Sequence, residues 1–212
     1  ATWLHLDWVL MVVVAWLLIG LAGVLALRRF KFVAVVLFPV GACFSVVLMA
    51  VALSAAFAGP EVAVLPLGLP QLPFHLRLDS LSAFFLFLIG GVSAGVSAFA
   101  AGYFRQGEGT PPGLICLEYH VFLASIAMVV MADDAYVFMV MWETMAFSSF
   151  FLVLANHRIP EIRSAGYLYV LVAHIGALGI LLCFGLLQAN TGDYTFANMR
   201  QQHLTPFWGS VA

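Results

Sequence analysis

The chain has 212 residues, a formal net charge of −2, and a composition that is 64% hydrophobic and only 8% charged. A soluble domain is about half apolar and about a quarter charged, so eight Lys/Arg and ten Asp/Glu cannot dress a soluble surface of this size. Disorder, nucleic-acid binding and a disulfide scaffold are excluded, and a mean hydropathy of +1.08 marks an integral membrane protein.

A helix needs about 20 mainly apolar residues to cross the hydrocarbon layer. Six segments qualify in chain order: 8–27, 32–58, 80–104, 118–132, 135–155 and 163–188. The first is read as a retained helix and not a signal peptide. Its basic cluster, Arg28, Arg29 and Lys31, follows the apolar run instead of preceding it. Between the second and third spans lies a Pro/Gly-rich stretch from Gly59 to about Arg77. Pro60, Pro66, Pro70 and Pro73 forbid a helix there, and apolar residues alternating with turn formers fit a short β-hairpin. After the sixth span comes a polar tail, Ala189 to about Thr205, and then a second apolar start at Pro206–Ala212. The expected organisation is 1–79, two helices with the loop, and 80–212, helices three to six with the start of a seventh.

Arg28, Arg29, Lys31, Arg105, Arg158 and Arg163 fall in odd-numbered loops, while Arg77 and Arg200 alone fall on the other side with Asp7, Glu61, Asp79, Asp133, Asp134 and Asp193. By the positive-inside rule the odd loops are cytoplasmic and both termini are outside. The three cysteines, Cys43, Cys116 and Cys183, lie far apart with no metal spacing and read as small hydrophobes.

Ionisable residues inside a span are costly and point to function. Glu143 stands nine residues beyond Asp134, about 13 Å along a helix. Burial disfavours the charged form of a carboxyl and a nearby cation favours it. A group that can be tipped either way serves as a proton relay; the plainer reading is a neutral acid bonding across helices. His174 lies 11 residues past Arg163 and is a possible second relay, or an interhelical hydrogen-bond donor. Asp134, with Asp79 and Asp133, precedes a helix and is a weak site candidate, since carboxylates there also complement the helix dipole. Glu118 and His120 open the fourth span and could face an aqueous entry. Haem is rejected because His174 is the one deep histidine, and bis-histidine ligation needs two at matching depth. No cofactor-binding or metal-ligand set is identified.

Three segments carry a resemblance: RLDSLSAFF at Arg77–Phe85, ADDAYVFMVMWETMAFSSFFLV at Ala132–Val153, and RSAGYLYVLVAHIGALGILLCFGLL at Arg163–Leu187. They resemble the third, fifth and sixth helices of the antiporter-like proton-translocating membrane subunits. That family includes subunits of complex I, Mrp-type cation/proton antiporters and energy-converting hydrogenases, and the wording is most similar to the formate hydrogenlyase-type branch. The resemblance implies an all-α integral membrane fold, the N-terminal part of a larger helical bundle with inverted repeats. It implies that Glu143 is the fifth-helix Glu that pairs with a Lys on a broken seventh helix. Lys31 is the single Lys here, so that partner is missing and the chain reads as a piece of a longer subunit.

The expected function is proton translocation within a respiratory or hydrogenase-type redox complex, with no redox centre in this chain. Expected partners are other membrane and peripheral redox subunits, the lipid bilayer and protons, with Na⁺ as a second coupling ion; nucleic acid is not one. The expected location is the bacterial inner membrane, multi-pass, with the N-terminus outside. A stand-alone cation/proton antiporter and a non-catalytic assembly subunit are the alternatives.

Overall fold

The computed structural model describes residues 3–103, 110–188 and 194–201. Arg105, Asp193 and the apolar start at Pro206–Ala212 lie outside the described residues. Six long helices carry the fold: α1 His5–Leu25, α2 Phe30–Ala55, α3 Ser80–Tyr103, α4 Pro112–Met131, α5 Ala135–Val153 and α6 Pro160–Gln188. All six are long and apolar enough to cross a membrane. A short α7, Phe196–Met199, follows. Between α2 and α3 stands an antiparallel hairpin, β1 Glu61–Leu69 and β2 Leu72–Leu78.

Local sequence explains the boundaries. Inside α2, Val33–Leu37 is a π-helical turn just before Pro39. Pro39 has no N–H and its ring crowds the carbonyl four residues back, and a π-bulge absorbs both. The fourth helix begins at Pro112, six residues earlier than the sequence reading placed it. Proline is a poor interior residue but a good first-turn residue, because its missing N–H would be unpaired there anyway. Glu118 and His120 therefore lie inside α4, not at its mouth. Likewise α6 begins at Pro160, which puts His174 at the midpoint of a 29-residue helix.

The hairpin is tied to helix ends by carboxylates. Glu61 accepts from the backbone N–H groups of His5 (3.2 Å) and Leu6 (2.8 Å), capping α1 from outside the helix. Asp134 caps α5, accepting from Val137 N–H at 2.6 Å, and also accepts from His75 N–H at 2.9 Å. Asp79 accepts from Ser82 N–H in the first turn of α3. Within the hairpin, Leu65 pairs with Phe74 and Gly68 with Pro73, so the register shifts around Pro66. Gly68 has φ +102°, a left-handed conformation that the bulge requires. On β2, Phe74, Leu76 and Leu78 are buried in alternation, and β1 is mostly exposed.

The core lies among α1 to α4. Trp16, Phe38, Leu48, Leu86, Leu123 and Met131 fill it. Backbones approach closely where side chains are small, as membrane helices do without a hydrophobic drive between them. A Cβ on Gly23 would sit 2.8 Å from the Gly113 carbonyl, and one on Gly90 would sit 2.8 Å from the Ser45 carbonyl and the Met49 nitrogen. Outside this core α6 is bare: Gly166 and Ala177 are its buried residues, and it packs chiefly on α5.

Candidate functional site

The site forms on the antiparallel seam of α5 and α6. Glu143 stands next to the middle of α5 and His174 at the middle of α6. Their side chains meet, with His174 Nε2 3.4 Å from Glu143 Oε2. Each remains reachable, 42% exposed for His174 and 32% for Glu143. Two residues separated in sequence by more than a whole loop thus face each other at one depth.

The hydrogen bonds fix where the proton goes. His174 Nδ1 lies 2.9 Å from the Val170 carbonyl, one turn back on its own helix. A carbonyl oxygen only accepts, so Nδ1 carries a hydrogen. Nε2 of the neutral ring is then a bare lone pair. Its contact with Glu143 is favourable in two arrangements: an imidazolium beside a carboxylate, or a neutral imidazole accepting from a carboxylic acid. At 3.4 Å the two groups are within ion-pair reach, and either arrangement uses one proton. Phe147 packs edge-on to the imidazole at 5.3 Å and holds the ring in place.

The polar neighbours of Glu143 are occupied by their own helix. Thr144 Oγ1 donates to the Val140 carbonyl, and Ser148 Oγ donates to the Thr144 carbonyl. Ser149 reaches across the seam, its hydroxyl 2.6 Å from the Tyr169 hydroxyl on α6.

Other candidates have different surroundings. Asp134 is fully buried at the N-terminus of α5, with His75 Nδ1 at 3.0 Å and two backbone N–H donors. Its geometry is that of a cap and a tie to the hairpin. Glu118 has one oxygen, Oε2, buried without a hydrogen-bond partner. His120 is a second deep histidine, which corrects the premise used against haem. It is fully buried, and a Cβ on Gly41 would stand 2.5 Å from its Nε2, so no iron fits on that nitrogen. Its Nδ1 is 2.8 Å from the Cys116 carbonyl, and neither ring nitrogen faces an entry.

Six helices long and apolar enough to cross a membrane mark a multi-pass membrane protein. Residues 65–111 match the family described as "NADH-Ubiquinone oxidoreductase (complex I), chain 5 N-terminus". Hydrogenase-4 component B of Escherichia coli (strain K12) is 35% identical over 131 residues, 62% of this chain and 19% of that protein. NADH-quinone oxidoreductase subunit L of Mycobacterium tuberculosis (strain ATCC 25618 / H37Rv) is 26% identical over 136 residues, 64% of this chain and 21% of that protein. In a solved Mrp complex from Dietzia sp. DQ12-45-1b, one chain superposes with a TM-score of 0.70 at 23% identity, covering 93% of this chain and 21% of that one. The chain is thus similar to part of a hydrogenase-4 component, of an NADH-quinone oxidoreductase subunit and of an antiporter subunit. It spans about a fifth of the length of the relatives it matches.

Proposed function

We propose that this chain is the N-terminal six-helix part of a proton-translocating subunit in a respiratory or hydrogenase-type redox complex. Glu143 and His174 are its proton-holding pair. The contact between Glu143 Oε2 and His174 Nε2 at 3.4 Å carries this reading. A carboxyl and an imidazole sharing one proton can pass it on when a third group or a water approaches either side. His174 then acts as the cation partner that the family resemblance expects to be a Lys. Redox chemistry stays in partner subunits, whose movements change the surroundings of the pair.

The coupling ion is H⁺. One carboxylate facing an imidazole suits a proton better than Na⁺, which needs several oxygen ligands and is repelled by an imidazolium. Arg28, Arg29, Lys31, Arg158 and Arg163 at one end of the bundle support a cytoplasmic assignment for that end. The hairpin end and the N-terminus are then outside, in a bacterial inner membrane.

Glu143→Gln keeps the size of the side chain and its hydrogen-bonding capacity but cannot take up or release a proton. In membrane vesicles holding the intact complex, that variant should assemble, keep its redox partners bound and lose proton translocation. Wild-type pumping by Glu143→Gln rejects the proposal. Wild-type pumping after loss of both Glu143 and His174 would mark an assembly subunit.

A further inference from the structure

The two ends of the α5–α6 seam differ in chemistry. Toward the hairpin end, Phe138 stacks on Trp142 (5.5 Å between centroids) and meets Phe184 edge-on at 5.6 Å. Phe196 of α7 closes on both, 6.4 Å from Phe138 and 5.5 Å from Phe184. These four aromatic rings present one polar atom, the Trp142 indole N–H, to a proton. Toward the Arg/Lys-rich end, the seam is bridged instead by the 2.6 Å hydroxyl contact between Ser149 and Tyr169. Ser149 lies six residues from Glu143, about 9 Å along the helix. Ser149 Oγ also donates to the Ala146 carbonyl at 2.9 Å, so it accepts from the Tyr169 hydroxyl, and a proton passes on only when the Ser149 hydroxyl turns from that carbonyl. The contact between them lies on an exposed part of the seam.

We propose that Tyr169 and Ser149 form a proton-access rung through which the Glu143–His174 pair exchanges protons with the Arg/Lys-rich end, while the Phe138–Trp142–Phe184–Phe196 cluster seals the hairpin end. This rests on the proton-pair reading given above. Transfer between rung and pair requires water in the gap between them. Tyr169 is a positioning residue: it hands the proton on and does not hold it. Facing the seam, the titratable groups are Glu143 on α5 and His174 and Tyr169 on α6. His157, Arg158, Glu161 and Arg163 stand at its Arg/Lys-rich end, and Glu118 lies on the neighbouring helix α4.

The test measures redox-driven proton translocation by the intact complex in vesicles across a pH series. Four single variants are compared: Glu143→Gln, Tyr169→Phe, Ser149→Ala and Ser149→Thr. Tyr169→Phe should slow translocation roughly tenfold, less than the ~100-fold or more of a direct acid–base group, because water can replace the hydroxyl. The loss should grow as pH rises and protons become scarce. Ser149→Ala should match it, and Ser149→Thr, which keeps the hydroxyl, should restore the wild-type rate. Should Tyr169→Phe fail to assemble, the two Ser149 variants decide alone. A pH-independent loss, or a loss shared by Ser149→Thr and Ser149→Ala, marks a packing contact and overturns the rung. Normal pumping by Tyr169→Phe and Ser149→Ala, with Glu143→Gln inactive, overturns the rung and leaves the pair standing. Normal pumping by Glu143→Gln overturns both.

Discussion

His120 and His174 begin alike and end differently. Each sits inside a long helix and places Nδ1 against the carbonyl one turn back, Cys116 at 2.8 Å and Val170 at 2.9 Å. Each is therefore oriented so that Nε2 points away from its own helix. For His120 that nitrogen meets Gly41, in a core with no exposure. For His174 it meets Glu143, on a seam open to its surroundings. Helix geometry sets the tautomer in both, and the neighbouring helix decides whether the ring packs against backbone or faces a carboxylate.

Exchanging the two roles by mutation gives the largest expected contrast. His174→Gln should cut proton translocation by about 100-fold, the scale of one positioned proton-transfer group, with assembly intact. His120→Ala should leave translocation per assembled complex unchanged and cost about 2–4 kcal/mol through the cavity it opens. Thermal unfolding of the detergent-solubilised complex, measured beside vesicle pumping, separates the two. A stable but inactive His120→Ala would erase the distinction.

Next in size is the glycine behind His120. Gly41→Ala places a methyl 2.5 Å from Nε2, and the ring is held by its bond to Cys116 and by contacts with Phe38 and Tyr119. Such overpacking costs about 1–3 kcal/mol. Gly176→Ala, near His174, meets nothing within 4 Å and should melt at or slightly above the wild-type temperature, since Ala is favoured over Gly inside a helix. The two alanines make the same chemical change, so a difference in melting temperature reports packing alone.

How much of this is written in the sequence depends on what each feature needs. Six spans follow from length and apolarity, and the hairpin from its prolines. Glu143 is visible because an ionisable side chain in an apolar run is costly and stands out. Its nearness to His174 is not visible, because α5 and α6 are apolar nearly all round and no polar stripe marks the face they share. Ser149 and Tyr169 are hidden for the same reason. Glu118 and His120 are misplaced by a local ambiguity. Pro111 and Pro112 read equally as a break or as a first turn, and only packing against α1 chooses the second.

The hairpin supplies the smallest effects and the sharpest control. Its two His–carboxylate contacts, His5–Glu61 at 2.8 Å and His75–Asp134 at 3.0 Å, are shorter than the 3.4 Å of His174–Glu143. Distance alone would rank them as the better proton pairs. Their carboxylates differ in also accepting backbone N–H groups at helix starts, which holds them as structural acceptors. Asp134→Ala should therefore cost about 0.5–2 kcal/mol, the range for a lost N-cap. Translocation by the assembled complex should persist.

Glu61 is the milder case, and its sign can be worked out. Burial pushes its carboxyl up, but hydrogen bonds from Leu6 N–H and from His5 outweigh that and hold it below its ordinary range. Asp79 is also held low, first by the Ser82 N–H. A carboxyl with a depressed folded value stabilises the fold at any pH above its ordinary value, about 4, and loses that contribution as acid titrates the folded form. The hairpin should thus be tight at neutral pH and loosen only below about pH 4. Amide hydrogen exchange of β1 and of the first turn of α1 would read this. Glu61→Gln should raise exchange at neutral pH and flatten its dependence on acid. A hairpin that loosened already between pH 7 and 5 would show that its stability does not rest on the Glu61 and Asp79 carboxylates.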